Sequence, residues 1–172
     1  MQMTGETEIQ ADPSTVYAAL LNPDVLKACV PGATEVSGNP DEGYTATVTQ
    51  KVGPVKATFK GQVTMSDMVE NQSLTIDGEG KGGAAGLAKG GAKVALSATQ
   101  AGTLLSYDVE AKVGGKLAQL GSRLIDGFAK KMADQFFTNL QSELAPEGSP
   151  DSVETDTNAQ KKGWLGRLTG KE

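Results

Sequence analysis

Histidine is absent from the 172 residues, and cysteine occurs only once. Without histidine the chain cannot build a Ser-His-Asp or Cys-His catalytic arrangement, or the common zinc sites that contain histidine. The single Cys29 cannot form an internal disulfide or a thiolate cage. A lone cysteine in this setting is typical of a small buried apolar side chain rather than a reactive thiol. We therefore predict a non-enzymatic protein with no catalytic residue, no metal site and no covalently bound cofactor.

Long apolar runs are also lacking, so the sequence predicts no membrane-spanning segment, and its first residues do not resemble a signal peptide. Charge is unevenly distributed. Residues 1–145 carry 12 basic and 16 acidic residues, residues 146–160 carry four acids and no base, and residues 161–172 carry four bases and Glu172. A mildly acidic body argues against nonspecific nucleic-acid binding, which needs a basic face. We expect a cytoplasmic protein without a nucleic-acid partner.

Hydrophobic periodicity predicts the order of the secondary-structure elements. A short strand over residues 3–11 precedes two short helices, which begin at Asp12-Pro13 and at Asn22-Pro23, both good helix-start signals. Residues 33–114 alternate apolar and polar side chains with turn signals between the segments, which is typical of an antiparallel meander. Residues 115–144 change to helical spacing and predict one helix of about 28 residues.

This order predicts an α+β fold in which about seven antiparallel strands curve around the long C-terminal helix. Many glycines interrupt the apolar faces of the strands, among them Gly61, Gly78 and Gly80. Small residues leave space where a tightly packed core would not tolerate it. We therefore predict an internal cavity between the helix and the sheet.

The glycine-rich stretch 78–91 contains a formal GxGxxG pattern from Gly78 to Gly83. A dinucleotide-binding site would need a strand before this pattern and a helix after it, and here strands are predicted on both sides. We interpret the stretch as a connection between strands, which can bend sharply because glycine permits it. The same composition also fits a loop that gates entry to the predicted cavity.

Four carboxylates, Asp77, Glu79, Asp108 and Glu110, fall on the polar faces of predicted strands. Paired carboxylates support acid–base chemistry when their environments differ. Because the alternation places these four toward water, with lysines nearby in sequence, we interpret them as solvated strand charges.

Three segments together resemble the G-subunit family of carbon monoxide dehydrogenase: CVPGATEV (29–36), VGPVKATFKGQV (52–63) and GGKLAQLGSRLIDGFAKKMADQFF (114–137). The resemblance covers about residues 1–145. It implies the helix-grip fold of START-like domains, whose members carry apolar ligands. It also implies an accessory protein that recruits or helps to mature a molybdenum hydroxylase of the carbon monoxide dehydrogenase type at the cytoplasmic membrane, and not a catalytic subunit.

From the resemblance and the apolar pattern we expect residues 1–145 to bind an apolar ligand, for which we suggest a membrane quinone. Two other functions stay open: an assembly factor that needs no ligand, and a small enzyme of the same fold that would use the inward-facing Tyr44 or Tyr107. The residues predicted to line the cavity are Leu26, Val30, Phe59, Met65, Leu74, Ile76, Leu87, Val94, Leu96, Leu105, Tyr107, Leu117, Leu120, Leu124 and Phe128.

The C-terminal segment KKGWLGRLTGKE (161–172) follows the acidic linker 146–160 and contains the only tryptophan. On a helical wheel its apolar side chains share one face with basic residues around it, a pattern typical of weak and reversible membrane binding. An alternative is that the segment docks on a partner or on its own domain. The residues predicted to contact the membrane are Lys161, Lys162, Trp164, Leu165, Arg167, Leu168 and Lys171.

Overall fold

A computed structural model describes residues 1–144 of the chain, so the predicted linker and the membrane-binding segment lie outside the described residues. The strands are β1 (Gln2–Ile9), β2 (Ala33–Asn39), β3 (Gly43–Val52), β4 (Val55–Val69), β5 (Ser73–Lys81), β6 (Leu87–Ala98) and β7 (Thr103–Gly114). The helices are α1 (Pro13–Leu21), α2 (Pro23–Cys29) and α3 (Ser122–Leu144), with short 3-10 helices at Gly83–Ala85 and Gly115–Leu120.

All seven strands form one antiparallel sheet in the order β1-β7-β6-β5-β4-β3-β2. The sheet curves around α3, and the two short helices follow β1, so the predicted α+β fold is confirmed. Side chains alternate between an inner face toward α3 and an outer face, as the period of two requires. Lysines and acids dominate the outer face, and apolar residues dominate the inner face.

The prediction of one helix over residues 115–144 is wrong at its start. Residues 115–120 form a 3-10 helix, and α3 begins only at Ser122 after Gly121, whose φ is +90°. A residue at this φ cannot continue a right-handed helix, and glycine adopts it without a steric penalty. The true α-helix has 23 residues and is about 35 Å long.

The two short helices begin as their sequence signals predict. Asp12 Oδ1 accepts a hydrogen bond from the Thr15 amide at 3.3 Å, and Asn22 Oδ1 accepts one from the Asp24 amide at 2.9 Å. Each N-cap is followed by a proline at the first helical position, where the missing N–H carries no cost. These caps place α1 and α2 across the end of the sheet that holds the packed core.

The turn after α2 is anchored on the sheet through Gly32. Gly32 has φ of +81°, and its carbonyl accepts a hydrogen bond from the Thr49 amide at 2.9 Å. The neighbouring Pro31 carbonyl accepts a hydrogen bond from the Gln50 side-chain amide. The Pro-Gly pair of the CVPGATEV segment therefore fixes where the chain enters the β2 edge of the sheet.

We expect Gly32→Ala to lower the free energy of unfolding by about 2 kcal/mol, because a non-glycine residue is strained at positive φ. A Cβ at Gly32 would also lie 2.1 Å from the Thr49 carbonyl oxygen. Gly83→Ala is the matched control, since Gly83 has φ of +61° but no heavy atom within 4 Å of the Cβ position. Urea denaturation measures both, and equal losses would show that the contact with Thr49 contributes nothing.

The main packed core lies at the end of the molecule where α1 and the C-terminal half of α3 meet the sheet, and Val52, Ala85 and Leu117 are buried apart from it. Leu140 and Val16 are fully buried, and Thr103 is the buried polar side chain there, donating a hydrogen bond to the Ala11 carbonyl at 2.7 Å. Tyr17 donates to the Ser73 carbonyl at 3.3 Å and so ties α1 to β5. The core residues are Ile9, Val16, Tyr17, Ala19, Leu20, Cys29, Leu74, Val94, Leu96, Leu105 and Leu140.

Candidate functional site

The inner face of the sheet continues beyond the packed core, beneath the first three turns of α3, and there its apolar side chains are only half-buried. Solvent therefore reaches the space between α3 and the strands in this half of the molecule, which we call the apolar hollow. Its sheet side consists of Ala46, Val48, Phe59, Val63, Gly78, Gly80, Val109, Ala111 and Val113, and its helix side of Leu120, Ile125, Phe128 and Met132.

Two glycines of β5 show that α3 stands away from the centre of the sheet. A Cβ atom on Gly80 would meet only the Cβ atom of Phe59, at 3.8 Å, and one on Gly78 would meet only Val63 and the Gln62 carbonyl of the neighbouring strand. No atom of α3 lies within 4 Å of either position. Space is therefore present above the middle strands, where the glycines contribute no side chain to fill it.

The helix touches the sheet at its flanks. Leu124 contacts the β3–β4 turn, since a Cβ atom on Gly53 would lie 2.7 Å from Leu124 Cδ2. Farther along α3, Phe137 stacks on Tyr107 of β7 with ring centroids 5.3 Å apart. These contacts hold α3 against the sheet near both ends of the helix.

Two polar side chains, Tyr107 of β7 and Gln50 of β3, point to the inner face of the sheet. The Tyr107 ring covers Gly5 of β1, and its hydroxyl makes no hydrogen bond to any other residue within 1–144. The Gln50 amide lies 3.8 Å from the Met132 sulfur and holds the Pro31 carbonyl. Tyr44 is different, because it is buried and its hydroxyl donates to the Leu21 carbonyl at 2.6 Å. Burial raises the pKa of Tyr44.

The predicted lining residues separate into distinct groups in the structure. Leu74, Val94, Leu96 and Leu105 are buried in the packed core, and Met65, Ile76 and Tyr107 pack against it. Phe59, Leu120 and Phe128 are half-buried in the hollow. Leu26 and Val30 are half-buried in and after α2, and Leu117 is buried within its 3-10 helix.

Two leucines of the prediction lie elsewhere. Leu87 pairs with Lys81 on the outer face of the sheet and is 40% exposed, so it does not line the hollow. The register places it there because β6 begins one residue earlier than its inward set, which starts at Ala88. Leu124 is also 40% exposed and lies at the rim, where α3 meets the β3–β4 turn.

Sequence reasoning missed several residues of the hollow, including Val48, Val63 and Met132. The signal for the strand residues was present, since they share the period of two with Tyr44 and Phe59. Gln50 follows the same even-numbered positions of β3 and therefore also points inward, although it is polar. Its polar side chain at an inward position was the signal that could have identified Gln50.

The outer face carries a groove of about 1270 Å³ lined by polar and charged side chains such as Thr47, Gln62 and Lys89. Asp77, Glu79, Asp108 and Glu110 are all exposed on this face, as the alternation predicts. Within residues 1–144 no three histidine, cysteine or acidic side chains cluster as metal ligands would. The described helices include none that is long and apolar enough to cross a membrane.

The glycine-rich stretch 78–91 runs from β5 through the 3-10 helix Gly83–Ala85 into β6. No α-helix follows the GxGxxG pattern, so the geometry of a dinucleotide-binding turn is not formed. Cys29 is fully buried, and burial, with a smaller contribution from Glu143, raises the pKa of its thiol to about 11. The thiol is therefore protonated at neutral pH and behaves as an apolar side chain.

Comparison with known families decides the relationship of the chain. Residues 5–145 match the family of the carbon monoxide dehydrogenase G-subunit, CoxG. The chain belongs to the CoxG family. All three segments that carry the sequence resemblance lie within the matched residues, and the resemblance is confirmed. Membership of the CoxG family suggests an accessory role for the chain beside carbon monoxide dehydrogenase.

Solved structures share the fold of this CoxG-family chain. A conserved protein from Geobacillus kaustophilus is 25% identical, with a TM-score of 0.78 over 84% of this chain and 95% of that one. Proteins from Mesorhizobium loti and Chromobacterium violaceum are 18% and 17% identical, each covering 84% of this chain and 96% and 98% of their own, with TM-scores of 0.59 and 0.62. Comparison with curated proteins gave no match.

Proposed function

We propose that the protein is a non-catalytic accessory protein that carries an apolar ligand, most suitably a membrane quinone, in the hollow beneath α3. It would recruit a molybdenum hydroxylase of the carbon monoxide dehydrogenase type to the inner face of the cytoplasmic membrane. The observation that carries this proposal is the open space above Gly78 and Gly80, bounded by apolar side chains on both sides. Apolar surface left half-exposed on two facing elements is stabilised when an apolar guest covers it.

A quinone suits the chemistry of the walls. Phe59, Phe128 and Met132 offer aromatic and thioether surfaces that pack against a ring and an isoprenoid chain. The Tyr107 hydroxyl on β7 and the Gln50 amide on β3 are inward donors, and each is of the kind from which one quinone carbonyl oxygen accepts a hydrogen bond. A hydroxylase that oxidises its substrate must also pass electrons to an acceptor, and quinones are the acceptors that reside in the membrane.

Attachment to the membrane is assigned to the C-terminal segment 161–172, which lies outside the described residues. Its side chains Trp164, Leu165 and Leu168 would enter the interface, and its basic residues would face anionic headgroups. Covalent geometry limits the span of residues 145–160 to about 54 Å, which exceeds the length of α3. The linker would therefore let the body lie on the membrane in any orientation.

The proposal is tested by purifying the full chain from its native membranes and identifying bound lipids by mass spectrometry. We expect one quinone per protein, and uptake of added decylubiquinone by protein that has been stripped of lipid. Protein that is repeatedly empty and takes up no quinone would contradict the ligand assignment. Capture of the hydroxylase from cell extracts then distinguishes the roles, because an assembly factor would prefer cofactor-free enzyme whereas a recruiter would bind the mature form.

A further inference from the structure

The fold separates charge between the two ends of the molecule. We define the basic end as residues 30–35, 45–62, 79–89 and 112–127, which the sheet register and the contact of Leu124 with Gly53 bring together. This end carries eight basic residues and three acidic ones, Glu35, Glu79 and Asp126. The rest of residues 1–144 carries four basic and thirteen acidic residues. The eight basic residues are Lys51, Lys56, Lys60, Lys81, Lys89, Lys112, Lys116 and Arg123.

The cations of the basic end are exposed and available. Three pairs of lysines lie directly opposite each other on neighbouring strands, Lys51 with Lys56, Lys60 with Lys81 and Lys89 with Lys112. Like charges in directly opposed positions destabilise a sheet, so their presence points to an external anionic surface. Among the side chains that the structure describes, the one ion pair within 4 Å joins Lys130 to Asp134, and both lie outside the basic end.

Apolar groups accompany these charges. Of the four large apolar residues that are markedly exposed, Leu87 and Leu124 lie in the basic end, each 40% exposed. Val52, Ala85 and Leu117 are buried at this end, and the half-buried hollow residues Phe59 and Val113 lie on strand segments that belong to it. Methyl groups on Gly121 and Gly127, at the start of α3, would meet no heavy atom within 4 Å.

We propose that the basic end docks directly on an anionic lipid surface, with Leu87 and Leu124 in the headgroup layer, so that the apolar ligand passes between bilayer and hollow without crossing water. The proposal deepens the proposed function and rests on it for the identity of the cargo. Lysines around exposed leucines are the composition of an interfacial membrane contact. The acidic remainder of the surface then points away from the membrane.

An acidic protein is the other class of partner that eight cations could attract. The lipid surface is favoured because two of the markedly exposed apolar side chains, Leu87 and Leu124, lie in the basic end, and an apolar cargo has to leave the bilayer at some point. An acidic protein that binds only through charge would leave these two leucines exposed. Binding of an acidic protein to the basic end, in place of lipid, is the alternative result of the experiment below.

The experiment uses the full chain with Trp164→Ser, Leu165→Ser and Leu168→Ser, which removes the predicted contribution of the C-terminal segment. Flotation with phosphatidylcholine vesicles that contain about 30% phosphatidylglycerol should show binding that is absent on pure phosphatidylcholine and lost at high salt. In this background Lys81→Glu with Lys112→Glu should weaken binding about 25-fold or more, from roughly fivefold for each basic residue near an anionic surface. Lys27→Glu with Lys93→Glu changes the net charge equally, outside the basic end, and should change binding less than about threefold.

The leucines have a matched control as well. Leu87→Ser with Leu124→Ser should slow the loading of decylubiquinone from vesicles about tenfold, whereas Met68→Ser with Val69→Ser, exposed at the acidic end, should not. Equal effects of the two lysine pairs, or no preference for anionic vesicles, would overturn the proposal. The proposal would also be overturned if Lys81→Glu with Lys112→Glu lost capture of the hydroxylase while still binding vesicles. Vesicle docking without quinone uptake, even from detergent, would instead refute the proposed cargo and leave the docking surface standing.

Discussion

Gly80→Phe should abolish or strongly weaken quinone binding while the protein stays folded. Gly80 lies on the inner face of β5, and nothing but Phe59 comes within 4 Å of the position its Cβ would occupy. A phenyl ring there would occupy the hollow and displace about 100 Å² of ligand contact, which corresponds to roughly 2.5 kcal/mol, or about 70-fold in the dissociation constant. Titration with decylubiquinone in detergent, followed by the fluorescence of the ligand-bound protein, measures the change.

The matched control is Glu79→Phe, which adds the same ring to the neighbouring residue on the outer face. It should leave the dissociation constant unchanged within about twofold, because the outer face does not border the hollow. Both variants should unfold near the wild-type temperature, since an aromatic residue suits a strand. Unchanged quinone binding by a folded Gly80→Phe protein would place the ligand elsewhere, and the hollow would lose its assigned role.

The triple variant Trp164→Ala, Leu165→Ala and Leu168→Ala should lose binding to neutral phosphatidylcholine vesicles by more than about 100-fold. Burial of these three side chains in the interface contributes on the order of 4–6 kcal/mol, part of which is offset by ordering the segment, and roughly 3 kcal/mol remains. Neutral vesicles are the right probe because they remove the attraction between the basic end and anionic lipid. Flotation with the full chain gives the partition coefficient directly.

Val153→Ala in the acidic linker is the control, because it shortens an apolar side chain in the same part of the chain and should have no effect. Quinone binding in detergent should also be unaffected in the triple variant, since the hollow belongs to residues 1–144. If the triple variant binds neutral vesicles as the wild type does, the C-terminal segment has another partner. Docking on the body or on the hydroxylase would then be the role to pursue.

Much of the architecture could be predicted because it follows from local rules. The alternation of Tyr44, Ala46 and Val48 with threonines identifies β3, and the Asp12-Pro13 and Asn22-Pro23 pairs locate the starts of α1 and α2. The start of α3 could not be predicted from spacing, since Leu117 and Leu120 continue the helical pattern through a 3-10 segment. There Gly121 adopts a positive φ, which apolar periodicity does not reveal.

The sequence predicted an apolar site on the inner face of the sheet, but it did not predict which inward residues form that site. Leu74, Leu96 and Leu105 share the inward face with Phe59 and Val63, and no local signal separates them. Only the position of α1 against one end of the sheet closes the first group into a core and leaves the second group half-exposed. Leu87 was assigned inward although the period of two set by Val94 and Leu96 puts it on the other face, where it pairs with Lys81.

The sequence by itself determined the sheet of seven strands, its apolar and polar faces, and the membership of the CoxG family, because period, turn residues and motifs are properties of neighbouring residues along the chain. The tertiary structure alone decided where the hollow lies and which charges share its end of the molecule. A net acidic chain contains a basic end, since its eight cations come from segments far apart in sequence that strand register and the contact of α3 with the β3–β4 turn bring to one side. The electrostatic potential at the surface depends on where the charges lie in space, and folding sets those positions.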